Sequence, residues 1–322
     1  MSKVQWLAVV VSFLASVSGM PARAQAYPNK PITVVIPLAA GSNLDVVMRP
    51  MAIEMQRTLG QPIVVENRPG ANSTIGTKFV VGARPDGYTL LFQSVITAHP
   101  VLNRHNGIDI PKVMAPVSMG YIGPYVFFVR NGLPVTSYRD LVAHAKAQRV
   151  PLKYGASTTA VDLAFQYMTV TSGAKYDGIP YKGAAQVITA MLGGNEIDVT
   201  FTSPAGFTGP LQAGRVRALF IAADKRSPLM PDVPTSTEAG IPNFNYGAYW
   251  SLWAPQGTPR DIIQRLNTEI AAAARNPAII EAGRNLTGEV ITMSPEETLR
   301  VTEAHIKLMT DMVKMTGFVL PE

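Results

Sequence analysis

Cysteine is absent from this 322-residue chain. That excludes a disulfide framework, thiolate chemistry and a zinc site with sulfur ligands. It does not oppose an oxidising compartment; stability there must come from packing. Histidine is scarce: His99, His105, His144 and His305 are the only four. None stands at metal-ligand spacing from another, and no HExxH pattern occurs. Charged residues make up only 16% of the chain, without a dense Lys/Arg run. A nucleic-acid partner is therefore not expected. G-x-S-x-G, G-x-G-x-x-G and Walker-type loops are also missing, so no catalytic motif and no cofactor is implied. Beyond the N-terminus no run of roughly 18 apolar residues occurs, so the protein is not expected to be embedded in a membrane.

What is present is apolar. Hydrophobic residues reach 47%, enough for a large core, and the length suggests two domains. Lys3 is followed by an apolar run from Val4 to Val17, and Ala24-Gln25-Ala26 fits a small-x-small cleavage site. Residues 1–26 read as a secretory signal peptide, cleaved near Ala26, and not as a membrane span, because the run is too short. The expected compartment is the periplasm. Removing Lys3 and Arg23 with the leader lowers the formal charge from +6 to +4, a mildly basic surface weakly favourable to anions.

Strand and helix patterns alternate. Ile32 to Ile36 reads as a buried parallel strand, and apolar residues at 44, 47, 48, 51, 52, 55 and 59 have helical spacing. Pro50 inside that helix predicts a kink. Ile63–Glu66 and Thr89–Phe92 read as further strands, with a helix from Thr74 to Ala83 between them. A second series follows: strands at Tyr125–Val129, Leu152–Ala156, Val199–Phe201 and Ala218–Ile221, with helices after Ser137 and Thr159. Thr258-Pro259-x-Asp261 and Ser294-Pro295-Glu296-Glu297 are helix starts with proline in the first helical position. The fold class is α/β, with one βα series on each side of about residue 123.

Strands in both series end in small polar loops. In open parallel sheets ligands bind at the carboxyl ends of strands, and two such series facing each other make a cleft. Ser42 and Asn43 precede the helix that begins near Leu44, where exposed N–H groups can hold an anion. Asp45 falls in its first turn, where capping is the simpler role. Ser157, Thr158 and Thr159 stand at another helix start, and capping accounts for only one of three hydroxyls. Asn72, Ser73, Ser94 and Thr97 give similar, weaker signals. Lys182 attracts an anion or points to water. His99, near a strand-end loop, reads more simply as a surface or outlying histidine. Tyr246 to Trp253 is dense in aromatics; alternation places Tyr249, Ser251 and Trp253 on one face and Trp250 and Leu252 on the other.

These stretches resemble the Bug proteins, the TctC-type substrate-binding proteins of tripartite tricarboxylate transporters. The motifs that carry the resemblance are Tyr27-Pro-Asn-Lys-Pro-Ile32, Val65-Glu-Asn-Arg-Pro-Gly-Ala71, Pro85-Asp-Gly-Tyr-Thr-Leu90, Pro180-Tyr-Lys-Gly183, Leu211-Gln-Ala-Gly-Arg-Val-Arg-Ala-Leu219, Lys225-Arg-Ser-Pro228, Pro231-Asp-Val-Pro-Thr235 and Ala254-Pro-Gln-Gly-Thr-Pro259. They span the chain after the leader in the family's order. The resemblance implies a two-lobed periplasmic binding protein of type II-like build, each lobe a mostly parallel sheet flanked by helices. The two βα series, and the aromatic strand that leads back into the C-terminal helices, place the domains at 27–122 plus 248–322, and 123–247. The resemblance implies a monomer that captures a small carboxylate between the lobes and delivers it to membrane transporter subunits, with backbone groups, hydroxyls and water holding one carboxylate. The chain departs from the family at Ala40-Gly41-Ser42-Asn43, which is usually a longer glycine run. It departs again at Asp162, commonly histidine, and at Thr202, often aspartate. The helix starts at Ser42-Asn43 and Ser157–Thr159, facing each other, suit a ligand with an anionic group at each end. Thr202, with the candidate contact Ser203 beside it, replaces an acid that could pair with an amino group. A dicarboxylate without an amino group is therefore expected, with terephthalate as an aromatic candidate and aliphatic diacids beside it. Two other readings stay open: a sensor presenting its ligand to a membrane receptor, and a carboxylate-processing enzyme, for which no nucleophile or base assembles.

Overall fold

The computed structural model describes residues 27–71, 73–103, 107–194 and 196–319. The leader expected at 1–26, Asn72 and His105 lie outside the described residues. Among the described residues no helix is long and apolar enough to cross a membrane.

The first βα series begins with β1 (Ile32–Ile36) and α1 (Asn43–Leu59), then β2 (Ile63–Asn67), α2 (Thr74–Val81) and β3 (Thr89–Gln93). Two one-turn helices, α3 (Val95–Ala98) and α4 (Ile110–Val113), lead into the long strand β4 (Met114–Pro124). The apolar spacing of α1 is its buried face: Leu44, Val47, Met48, Met51, Ala52, Met55 and Leu59 are all inside. The helix runs on through Pro50 and stops at Gly60, whose left-handed φ of 69° lets its N–H reach the Gln56 carbonyl.

The second series comprises β5 (Val126–Arg130), α5 (Tyr138–Ala147), β6 (Leu152–Ala156), α6 (Thr159–Ser172), β7 (Tyr176–Pro180), α7 (Ala184–Gly193), β8 (Val199–Thr202), α8 (Thr208–Gln212) and β9 (Val216–Ile221). The chain ends with β10 (Gly247–Pro255), α9 (Arg260–Ala273), α10 (Pro277–Asn285) and α11 (Pro295–Thr316). Ser294 caps α11 through the Glu297 N–H, with proline at the first helical position as expected. At the other predicted start, Pro259 itself is the cap, while the Thr258 hydroxyl turns back to the Pro255 carbonyl. That start is therefore shifted by one residue.

Two five-stranded sheets result, ordered β2-β1-β3-β10-β4 and β7-β6-β8-β5-β9. In each, two pairings are parallel and two antiparallel. Four strands of each sheet share one direction, and the reversed strand is β10 in the first and β5 in the second. Both are the strands that enter their sheet directly from the other lobe. The sheets are thus mixed, with a mostly common strand direction.

The crossings lie side by side. Tyr125, between β4 and β5, donates its N–H to the Tyr246 carbonyl at 2.9 Å and accepts at its carbonyl from Ala222 N–H at 2.8 Å. A Cβ on Gly247 would sit 2.3 Å from the Gly123 carbonyl oxygen, so only glycine fits there. A single buried cluster joins Val35, Leu91 and Trp253 of the first sheet to Phe127 and Phe201 of the second and Phe165 of α6, and it includes Met309 and Met312 of α11. Helix α11 therefore straps the two lobes. Its start is tied to β4, where the Thr298 hydroxyl accepts from Met119 N–H at 2.9 Å.

Candidate functional site

Strand ends of both sheets face a cavity of about 650 Å³. Three helix N-termini open onto it. Asn43 and Leu44 bring the first turn of α1, Ser73 stands just before α2, and Ser157, Thr158 and Thr159 bring the start of α6. Each helix end carries free N–H groups and a partial positive charge, so convergent starts favour an anion. Ser94, Thr97 and Ser203 add hydroxyls to the wall.

The rest is aromatic and apolar. Tyr121 and Trp250 stack at 4.2 Å between ring centroids, and Tyr125 and Tyr246 lie 6.0 Å apart. The Tyr121 hydroxyl donates to the Leu286 carbonyl at 2.9 Å, and the Tyr246 hydroxyl to the Ala160 carbonyl. Burial lifts the pKa of Tyr121, Tyr125 and Tyr246, so these rings stay neutral. No Asp, Glu, Lys or Arg is among the lining residues, and His305 is held neutral because burial pushes its pKa down to about 4. The cavity is polar without being charged. Among the described residues no cluster of His, Cys, Asp and Glu could hold a metal ion.

Of the residues singled out from sequence, Asn43, Leu44, Ser94, Thr97, Ser157, Thr158, Thr159 and Ser203 line this cavity. Ser42 and Asp45 sit just behind it. The Asp45 carboxylate accepts from the Ser42 hydroxyl at 2.7 Å, Asn67 at 3.1 Å and Arg49 at 2.7 Å. Burial works to raise its pKa, but the hydrogen bonds from Ser42, Asn67 and Arg49 outweigh it and hold the carboxyl below its usual range. Asp45 thus fastens the start of α1 and has no oxygen turned to the cavity. Lys182 is exposed on the loop before α7 and Thr202 pairs with Val126 inside the second sheet; neither is on the cavity wall. His99 is a buried residue, not a surface one. Its Nδ1 accepts from Val101 N–H at 3.1 Å and its Nε2 lies 3.7 Å from Asp109. Asp162 accepts from the Tyr154 hydroxyl at 2.9 Å, away from the wall.

Gln93, Leu286, His305 and Met309 are among the lining residues that the sequence reading did not assign to a site. For His305 a signal existed. The buried stripe of α11 is Thr298, Thr302, His305, Met309 and Met312, in which three of five side chains are polar. A core-facing stripe that polar points to something besides packing.

The aromatic strand alternates as predicted. The Trp253 indole donates to the Ser251 hydroxyl at 2.7 Å on one face, while Trp250 and Leu252 pack into the other cluster.

Residues 47–318 match the family model described as tripartite tricarboxylate transporter family receptor. The protein BugT of Bordetella pertussis is 32% identical over 323 residues, covering 98% of this chain and 99% of that one. A Rhodopseudomonas palustris protein solved with adipate superposes with a TM-score of 0.74 at 29% identity, over 92% of this chain and all of that chain. MatC of the same organism, solved with bound malate, gives 0.71 at 28% identity, over 89% of this chain and all of that chain.

Proposed function

Because this chain belongs to the tripartite tricarboxylate transporter receptor family, a family of solute-binding receptors and not of enzymes, we propose that it captures a dicarboxylate without an amino group in the interlobe cavity. The observation that carries this reading is the convergence of α1 from one lobe and α6 from the other on a cavity with no charged wall residue. An anionic group at each end of a ligand meets a helix N-terminus. An ammonium group would meet no carboxylate, since Asp45 and Asp162 are engaged elsewhere. The rings of Tyr121, Tyr125, Tyr246 and Trp250 suit an apolar middle, aliphatic or aromatic, with terephthalate and adipate as candidates. Relatives solved with malate and adipate bind diacids of this class.

The lobes on this reading are 27–122 with 248–322, and 123–247. The chain is exported by a leader at 1–26, acts as a periplasmic monomer, and presents its closed, loaded form to the membrane subunits. A ligand drives closure only by contacting the closed form better. Calorimetric titration with terephthalate, adipate, citrate and glutamate tests it: diacids bind and glutamate does not. Tight binding of glutamate alone overturns the proposal.

A further inference from the structure

Two side chains on the cavity wall keep polar atoms that nothing in the described protein satisfies. Gln93 is 2% exposed; its carbonyl oxygen accepts from the Thr77 hydroxyl at 3.2 Å, but its amide nitrogen has no partner. His305 is 5% exposed, and neither ring nitrogen has a partner. Buried polar groups are nearly always paired, so two orphans on one cavity wall ask for a ligand group.

They share one face of the first sheet. Gln93 stands opposite Ser251 in the β3–β10 register, Tyr249 follows Ser251 on the same side, and the His305 ring lies 4.4 Å from the Tyr249 ring. The Ser251 hydroxyl is already taken by the Trp253 indole and cannot serve either orphan. No cation stands on the wall, so this spot is poorer for a carboxylate than the helix starts. A neutral imidazole offers one N–H and one lone pair. A hydroxyl is donor and acceptor at once. It can pair with either ring nitrogen and with the Gln93 amide in either orientation of that amide.

We propose that Gln93 and His305 form a hydroxyl-recognising subsite that selects hydroxylated carboxylates over their unsubstituted counterparts. The proposal rests on the interlobe cavity being the ligand site.

The test is calorimetric titration of two matched pairs, malate with succinate and lactate with propionate, against the wild type, His305→Phe and Gln93→Leu. Thermal melts identify folded variants, and if one variant does not fold the other decides. The wild type should bind the hydroxylated member about tenfold more tightly. Each variant should bring that ratio toward one, and His305→Gln, which keeps a donor and an acceptor, should restore part of it. Equal binding within each pair, or a ratio that survives both variants, overturns the subsite and leaves carboxylate capture standing. Selection of lactate over propionate that depends on His305, with no diacid bound, supports the subsite and overturns the diacid reading. Failure of all four ligands overturns the subsite, and the diacid reading then stands or falls with terephthalate and adipate.

Discussion

His305 sets a pH dependence that a single side chain can account for. In the fold, burial pushes its pKa from 6.5 down to about 4. The nearest rings, Tyr246 and Tyr249, carry hydroxyls that stay protonated throughout this range, so no facing charge offsets the effect. Below its ordinary value the unfolded chain binds a proton that the fold refuses. Stability is therefore whole above about pH 6.5 and drains away as pH falls toward 4, by about 3 kcal/mol over the window. Urea titrations at pH 7.5, 6 and 5 should show the wild type losing more stability than His305→Phe. Parallel losses would count against it. At this scale the sequence reads unevenly. Asn43 and Thr158 were legible because a helix start constrains which residues stand at it. Asp45 was legible as a cap, and its hydrogen bonds bear that out. Gln93 was not, since a polar residue at a strand end has no local mark that says whether water or a cavity will meet it; His305 was marked only by the polar stripe of α11, which does not say what the stripe faces.

Helix α1 offers a clean test of anion binding by backbone. Asn43 is its first helical residue, and Ser42 before it is extended at φ −66° and ψ 161°. Proline favours the first position, and an extended residue tolerates proline after it. Asn43→Pro should therefore leave thermal stability nearly unchanged while removing an N–H from the cavity wall. Carboxylate affinity should fall about tenfold, and Asn43→Ala, which keeps the N–H, should lose less. Equal effects of the two would place the contribution in the side chain. The elements themselves were readable where periodicity was uninterrupted: β6 falls at Leu152–Ala156 as predicted, and α1 buries every apolar position expected. Strand β4 was hidden because Pro116, Gly120 and Gly123 interrupt its pattern, and its pairing with β10 shifts register twice. Strand direction was hidden too, because alternation in sequence is the same whichever way a strand runs.

Across the whole molecule, the lobes meet where two backbones pass too closely for any side chain. Gly247→Ala would drive a Cβ to 2.3 Å from the Gly123 carbonyl, against backbone that cannot rotate away. A loss of about 3 kcal/mol in guanidinium unfolding is expected. Gly183→Ala, with extended backbone at φ −179° and open space around it, should cost far less. Similar midpoints for the two variants would show that the crossing yields. The placement of β10 between β3 and β4 also has a meaning in time. As the chain emerges from its N-terminus, β3 ends at Gln93 and β4 at Pro124, yet the strand that must lie between them begins only at Gly247. The first sheet keeps an empty place between β3 and β4 while the whole second series is being made. Non-local closure of this kind is slow, so the nascent chain stays unfinished until most of it has been synthesised. Any export machinery that accepts only extended polypeptide is thereby given a long interval in which to engage it.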